Sequence, residues 1–209
     1  MLSFLISIHL FFSFERFLPL HSFLNPCKSA TVTDIDGNVY HTMPIGTQCW
    51  LTENLKVSKY KDGSSIPVDI SGGPTGNESD QLWGNKLIGS RSVYKNDTSY
   101  FQDYGYLYNW YAVADPKGIC PTGWHVPSFN EKNIMTTFSP NQSQFSTFQG
   151  GFRSSDGFYN LMKNFGFFWT STESNYNKAW LFYLTTNNNM ISTDQLSKTI
   201  GASVRCIQD

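Results

Sequence analysis

The feature that most constrains the fold is an Asp-Gly pair, Asp36-Gly37, which separates two short runs of β-forming residues at 31–35 and 38–42. Asp-Gly favours a tight hairpin turn, because glycine adopts a positive φ angle without steric cost. The pair therefore predicts an antiparallel hairpin, and we interpret Asp36 and Gly37 as structural. The alternation of Asp34, Asp36 and Asn38 also suggests a calcium site, but the spacing does not match an EF-hand loop. We therefore expect no metal here.

The core of such a chain must be largely aromatic. Aromatic residues make up 16% of the 209 residues and charged residues only 15%, with 16 glycines to form turns. This balance favours one loop-rich, β-heavy domain. The formal net charge is -1 and Lys and Arg do not cluster. The chain therefore lacks the basic surface that nucleic acid or an anionic membrane would require, and we expect no nucleic-acid partner.

The amino-terminal residues predict export. Residues 2–14 are mostly apolar, which suits the apolar part of a signal peptide and is too short to span a bilayer as a helix. We assign 1–30 as a signal peptide or lipoprotein leader and 31–209 as the domain. Cys27 lies three residues after Leu24, as in a lipoprotein signal, so it is a candidate for lipidation. Cleavage by an ordinary signal peptidase and an uncleaved leader are the alternatives.

The other three cysteines are Cys49, Cys120 and Cys206. An exported chain favours disulfides, and we predict a Cys120–Cys206 bond because each of these residues lies in a tight motif. Cys49 is expected to be a small buried apolar residue. No Cys or His spacing is typical of zinc, and we expect no cofactor.

Two further segments have clear local signals. Ser128 and Glu131 form a capping-box pattern, which predicts a short helix over 129–138. The polar, glycine-rich residues 69–99 predict a long surface loop. Short strands are expected at 148–152, 167–170, 179–185 and 203–207.

Seven motifs occur in one order along the chain. They lie at 34–40, 45–50, 53–55, 104–110, 120–127, 169–173 and 203–206. Together they resemble the Fibrobacter succinogenes major paralogous domain, over about residues 31–209. The resemblance implies an exported or surface-attached bacterial protein. It also implies, by analogy, an α+β, C-type-lectin-like fold with twisted antiparallel strands, one or two short helices and long loops.

The motifs also assign structural roles to a set of side chains. Besides Asp36 and Gly37, the set comprises Trp50, Asn54, Trp110, Trp124, His125, Trp169, Glu173 and Arg205. We predict an ion pair between Glu173 and Arg205. For His125, catalysis with Glu131 or Asp115 beside it is the alternative to a hydrogen-bonded structural role.

A ligand platform is predicted in the polar loop. Trp83 lies there with Asn85 and Tyr94, and an aromatic ring with a nearby amide on a surface loop suits a sugar or a protein. We therefore expect an exported cell-surface binding or adhesion module for a glycan or protein, attached to a membrane only through a lipid anchor. A structural envelope component without a soluble ligand is the second hypothesis. An enzyme of unknown reaction is the third, and the sequence has no convincing catalytic constellation.

Overall fold

The computed structural model describes residues 25–71, 81–131, 149–185 and 191–209. These ranges form short strands and shorter helices. The strands are β1 (Thr31–Thr33), β2 (Val39–Ile45), β3 (Gln48–Leu51), β4 (Arg91–Ser92), β5 (Leu107–Tyr108), β6 (Trp124–His125), β7 (Phe152–Arg153), β8 (Tyr159–Asn160), β9 (Phe165–Glu173), β10 (Lys178–Thr185), β11 (Ile191–Ser197) and β12 (Ile207–Gln208). The helices are α1 (Gln81–Gly84), α2 (Phe101–Tyr104) and α3 (Trp110–Val113).

Antiparallel pairing builds two main sheets. The first has the order β1-β2-β3-β12-β6, so the last described strand lies between the amino-terminal hairpins and β6. The second has the order β11-β10-β9. A parallel bridge between Phe168 and Ser203 connects β9 to the stretch before β12. The predicted α+β class, with antiparallel strands and a few short helices, is confirmed at this level.

The predicted elements agree with the structure in part. Strands β9 and β10 include the predicted segments 167–170 and 179–185. Strands β7 and β12 overlap the other two predicted segments, 148–152 and 203–207, by one residue each. Ser128 and Glu131 form the predicted capping box, since the Ser128 amide donates to Glu131 Oε2 at 2.8 Å and the Glu131 amide donates to Ser128 Oγ at 3.3 Å. Most of the predicted 129–138 helix lies outside the described residues.

The main core is aromatic, as the composition predicts. Trp50, Trp83, Trp169, Tyr108 and Phe168 are all less than 2% exposed. The indole N–H groups of Trp110 and Trp169 donate to backbone carbonyls, which satisfies the polar edge of each ring. Within the described ranges, no helix has the length and apolarity that crossing a bilayer requires.

The predicted hairpin turn is built around Asp34. Its carboxylate accepts from the amides of Asp36 and Asn38 at 2.9 Å and from the Tyr40 hydroxyl at 2.6 Å. Gly37 has a φ of 85°, the conformation that the Asp-Gly signal requires. Burial, with the Asp34 carboxylate beside it, raises the pKa of Tyr40. The Asp34 carboxylate therefore stabilises the turn and the strand that follows it.

Two disulfides connect the four cysteines. Cys120 and Cys206 form the predicted bond. The second bond joins Cys27 to Cys49, so the prediction of Cys49 as an unpaired apolar residue is wrong. The Cys27 lipidation prediction is also contradicted, because a sulfur held in a disulfide cannot carry the thioether of a lipid anchor.

The chain before residue 31 is attached to the sheet. The Ala30 carbonyl accepts from the Thr42 amide at 3.0 Å, and the Lys28 amide donates to the Gln208 side chain at 3.2 Å. Together with the Cys27–Cys49 bond, these contacts make 27–30 a structured extension of β1.

Candidate functional site

The predicted ligand platform does not exist as an aromatic surface. Trp83 is 0% exposed, and the guanidinium of Arg153 lies 4.3 Å from the centre of its ring. A Cβ added at Gly201 would lie 3.0 Å from this indole, so the backbone passes directly against it. The prediction of Trp83 as an exposed residue is wrong, because the ring is buried in the core against Arg153.

Tyr94 is buried as well, and its ring packs against Tyr159 at 5.3 Å between centroids. Asn85 is the member of the predicted trio that remains exposed. Trp83, Asn85 and Tyr94 therefore do not form one binding surface. Among the large apolar side chains that are exposed in the described ranges, Tyr176 is the single aromatic.

An aliphatic surface occupies the predicted location instead. Four side chains on it are strongly exposed: Val68 (50%), Ile70 (73%), Leu87 (66%) and Ile88 (63%). Val68 and Ile70 line a shallow depression of about 490 Å³ together with Asn85 and Lys86. We call these four aliphatic residues, with Asn85 and Lys86, the aliphatic surface.

Hydrogen bonds from other parts of the chain hold the backbone of this surface. The Asp69 amide donates to the Arg91 carbonyl at 2.8 Å, and the Asn109 side chain donates to the Ile88 carbonyl at 2.8 Å. The Asn96 side chain donates to the Ile70 carbonyl at 3.0 Å. The exposed aliphatic side chains are therefore presented by a fixed backbone.

A buried ionic network lies beneath the same surface. The Asp69 carboxylate is 1% exposed and contacts Lys86, Ser71 and Arg153, the last at 3.3 Å. Burial opposes ionisation, but these donors outweigh it and lower the pKa of Asp69. Lys86 and Arg153 share the single negative charge of Asp69, so this network keeps a net positive charge.

The prediction from the sequence missed the aliphatic residues, because it considered only aromatic rings as ligand contacts. The available signal was Ile70 and the adjacent pair Leu87 and Ile88 in a polar stretch without strand or helix periodicity. Apolar residues that fit no periodic pattern in such a stretch are candidates for an exposed contact surface.

A second polar cluster surrounds His125 on β6. Its Nδ1 lies 2.6 Å from Asp209 Oδ1 and its Nε2 lies 3.1 Å from Glu131 Oε1. The side chains of His125, Glu131 and Asp209 are 40%, 38% and 55% exposed. His125 also lines an opening of about 240 Å³, together with Lys61 and Ser171.

This cluster is not arranged as a metal centre. The two nitrogens of one imidazole ring point in different directions, so Glu131 and Asp209 cannot join His125 on a single ion. No group of three or more acidic, Cys or His side chains in the described parts of the chain could hold a metal. Of the two carboxylates considered beside His125 for catalysis, Glu131 contacts the ring, whereas the ring nitrogens face Glu131 and Asp209 and not Asp115.

The predicted ion pair between Glu173 and Arg205 is wrong. Glu173 instead accepts from the Lys198 ammonium at 2.6 Å. Arg205 is fully buried, donates to Asn54 Oδ1 at 3.1 Å and lies over the Phe168 ring at 4.9 Å. Burial lowers the pKa of Arg205 to about 9, against the opposing field of Glu53.

The remaining motif residues take structural positions. Trp50, Asn54, Trp110, Trp124 and Trp169 are buried, and Asp36 accepts from the Ser58 amide and pairs with Lys59 at 3.1 Å. The motifs thus specify mainly core and turn residues, with the half-exposed His125 and Glu173 as exceptions.

Fold and sites together define a disulfide-bonded α+β domain built on antiparallel strands. Residues 43–144 match the family model of the Fibrobacter succinogenes major domain. The match over 43–144 agrees with the resemblance that the ordered motifs in this part of the chain indicate. No curated protein and no solved structure shows significant similarity to the chain.

Proposed function

We propose that this protein is an exported binding module and that its partner is another protein, held at the aliphatic surface. The observation that carries the proposal is the exposure of Val68, Ile70, Leu87 and Ile88 on a backbone held by hydrogen bonds. The Lys86–Asp69 pair joins the two stretches of chain that carry these side chains. Exposed apolar side chains in one region are typical of protein contact sites.

The chemistry of this surface favours a protein over a glycan. Sugar rings stack on exposed aromatic planes, whereas Trp83 and Tyr94 are buried. Aliphatic side chains gain about 1.5–3 kcal/mol each when another apolar surface fully buries them.

The chain itself offers no apolar cover from the adjoining segment. Residues 72–80, which connect the two parts of the aliphatic surface, consist of Gly, Pro, Thr, Asn, Glu, Ser and Asp. None of these side chains can bury an aliphatic patch as Val, Ile or Leu would. The composition of the segment therefore supports an occupant from a second molecule.

Export is part of the proposal. Two disulfides are typical of proteins that fold in an oxidising compartment, and the apolar run at 2–14 suits a signal peptide. The short helices, the antiparallel strands and the Cys120–Cys206 bond support a C-type-lectin-like arrangement. A binding role is favoured over catalysis because both ring nitrogens of His125 are held by carboxylates.

The test uses the immobilised full chain and proteins extracted from the cell envelope of the producing organism, with a glycan array in parallel. We expect a specific protein to bind the wild type and to be lost with Ile70→Ser/Leu87→Ser. The control is Val39→Ser, because Val39 is 56% exposed on the hairpin, away from the aliphatic surface.

Sedimentation of the same variants distinguishes a second copy from a different protein. Sugar binding without protein binding would overturn the proposal, and so would protein capture that both variants retain. Self-association lost only in Ile70→Ser/Leu87→Ser would identify the partner as another copy of this chain.

A further inference from the structure

The contacts of His125 require a particular protonation state. Its Nδ1 and Nε2 both lie within hydrogen-bond distance of carboxylate oxygens, those of Asp209 and Glu131. A neutral imidazole has one N–H, and an ionised carboxylate can only accept. Both contacts are hydrogen bonds only when both nitrogens carry protons, so the arrangement fits a positively charged imidazolium.

The Glu131 carboxylate and the Asp209 backbone are each held by contacts that do not involve the histidine. Glu131 is held by the capping box, since its other carboxylate oxygen accepts from the Ser128 amide at 2.8 Å. Asp209 follows β12, and its amide donates to the Gly123 carbonyl at 3.0 Å. The imidazole therefore fits between two acceptors that the backbone already places on either side of it.

Other charged groups also face this cluster. The Lys28 ammonium donates to the Asp209 backbone carbonyl at 3.3 Å, and the Lys61 ammonium donates to the Trp124 carbonyl at 2.9 Å. Burial opposes the ionisation of Glu131, but hydrogen bonds from Ser128 and His125 outweigh it and lower the pKa of Glu131. Glu131 thus remains an acceptor under mildly acidic conditions.

We propose that His125 is a pH-sensitive clasp that joins β6 to the end of β12 and to the 128–131 turn. The doubly protonated ring holds both Asp209 and Glu131, and loss of one proton breaks one of the two links. Because His125 lines the 240 Å³ opening with Lys61 and Ser171, the wall of that opening changes with pH. This switch is separate from the aliphatic surface and does not depend on the proposed partner.

The charged form of His125 makes the contacts to Asp209 and Glu131. Both hydrogen bonds require the doubly protonated ring, so the clasp is complete only in that form and one link is lost with one proton.

The decisive measurement is NMR of the full chain labelled with ¹⁵N in histidine, with the His125 signals assigned by their loss in His125→Gln. At about pH 5.5 both ring N–H protons of His125 should be visible and shifted downfield by their hydrogen bonds to Asp209 and Glu131, and Glu131→Gln/Asp209→Asn should remove this shift. A neutral His125 ring at about pH 5.5 would overturn the proposal. Because the wild type alone carries this signal, the result stands even if a variant misfolds.

Stability measurements supply the second readout. His125→Gln should lower the folding equilibrium constant about two- to five-fold at about pH 5.5, as expected for half-exposed ion pairs, with little effect at about pH 8.5. Glu131→Gln/Asp209→Asn keeps the shape and removes both charges. Its stability should lack the clasp's pH dependence between these two values. Parallel pH profiles for the wild type and both variants would contradict the clasp.

Discussion

The ionic network beneath Trp83 and the His125 clasp use the same types of charged group, but they differ in exposure. Asp69 and Arg153 are at most 1% exposed, whereas the three side chains of the clasp are 38–55% exposed. Removing a partner from a buried pair leaves an unpaired charge in the core, while water can solvate the members of an exposed cluster. The first region is therefore structural, and the second can respond to pH at small cost to stability.

The largest expected effect concerns the disulfide that supports the clasp region. Cys120→Ala/Cys206→Ala removes a bond between residues 86 positions apart. Constraint of the unfolded chain predicts a loss of about 4–5 kcal/mol in the free energy of unfolding, measured by denaturant titration. Cys27→Ala/Cys49→Ala, with a separation of 22, should lose about 3 kcal/mol.

The same two bonds can be checked chemically. Mass spectrometry of the unreduced full chain should show no free thiol and no lipid at Cys27. A free Cys49 thiol that reacts with an alkylating agent before reduction would contradict the Cys27–Cys49 bond.

Trp83→Ala tests the buried region directly. The substitution leaves a cavity beside Arg153 and should cost about 4 kcal/mol in the free energy of unfolding. Trp83→Phe keeps an aromatic ring over Arg153 and should cost clearly less. Asn85→Ala, two residues away and exposed, should change stability by less than about 0.5 kcal/mol. A loss below about 1 kcal/mol for Trp83→Ala would contradict the burial of Trp83.

Asp69→Asn sharpens the contrast in pH response. Asn carries no charge to pair with Arg153 and Lys86, so we expect the free energy of unfolding to fall by about 3 kcal/mol at neutral pH. The folded-state pKa of Asp69 is lowered, because its donors outweigh burial. Its stabilisation is therefore present above the unfolded-state pKa and is lost as the pH falls through the folded-state value.

The measurement compares the free energy of unfolding of the wild type and Asp69→Asn as the pH falls from neutrality. The two curves should converge on acidification, the opposite direction to the His125 clasp. A constant difference down to strongly acidic pH would show that Asp69 is not ionised in the fold.

The smallest expected effect is at Glu173, which is half exposed and pairs with the largely buried Lys198. Glu173→Ala should cost about 1 kcal/mol, since Lys198 keeps its bond to the Tyr176 carbonyl. A double-mutant cycle with Lys198→Met should show coupling, whereas a cycle with Arg205→Met should show none. Coupling to Arg205 instead would restore the ion pair predicted from the sequence.

The local signals in the sequence were reliable where they depended on neighbours along the chain. Asp36-Gly37 forms its turn, and Ser128 with Glu131 forms the capping box. Both depend on contacts within a few residues, so the physical cause is contained in the segment itself. The Cys120–Cys206 bond was also predictable, because both residues lie in tight motifs.

The candidate sites depended on contacts that local sequence does not encode. Trp83 is buried because Arg153 and Gly201, far away in the chain, lie against its ring. Cys49 is bonded because the segment before β1 runs along the sheet and brings Cys27 to it. His125 gains its two carboxylates from the end of β12 and from the 128–131 turn.

By itself, the sequence determined the aromatic core, the turns, the β-rich class and the family resemblance over 43–144, because composition, short-range turn chemistry and ordered motifs carry that information. Only the tertiary structure decided which aromatic and charged side chains are buried. Burial depends on which distant segments meet, and these contacts moved Trp83 into the core and left Ile70 and Leu87 on the surface.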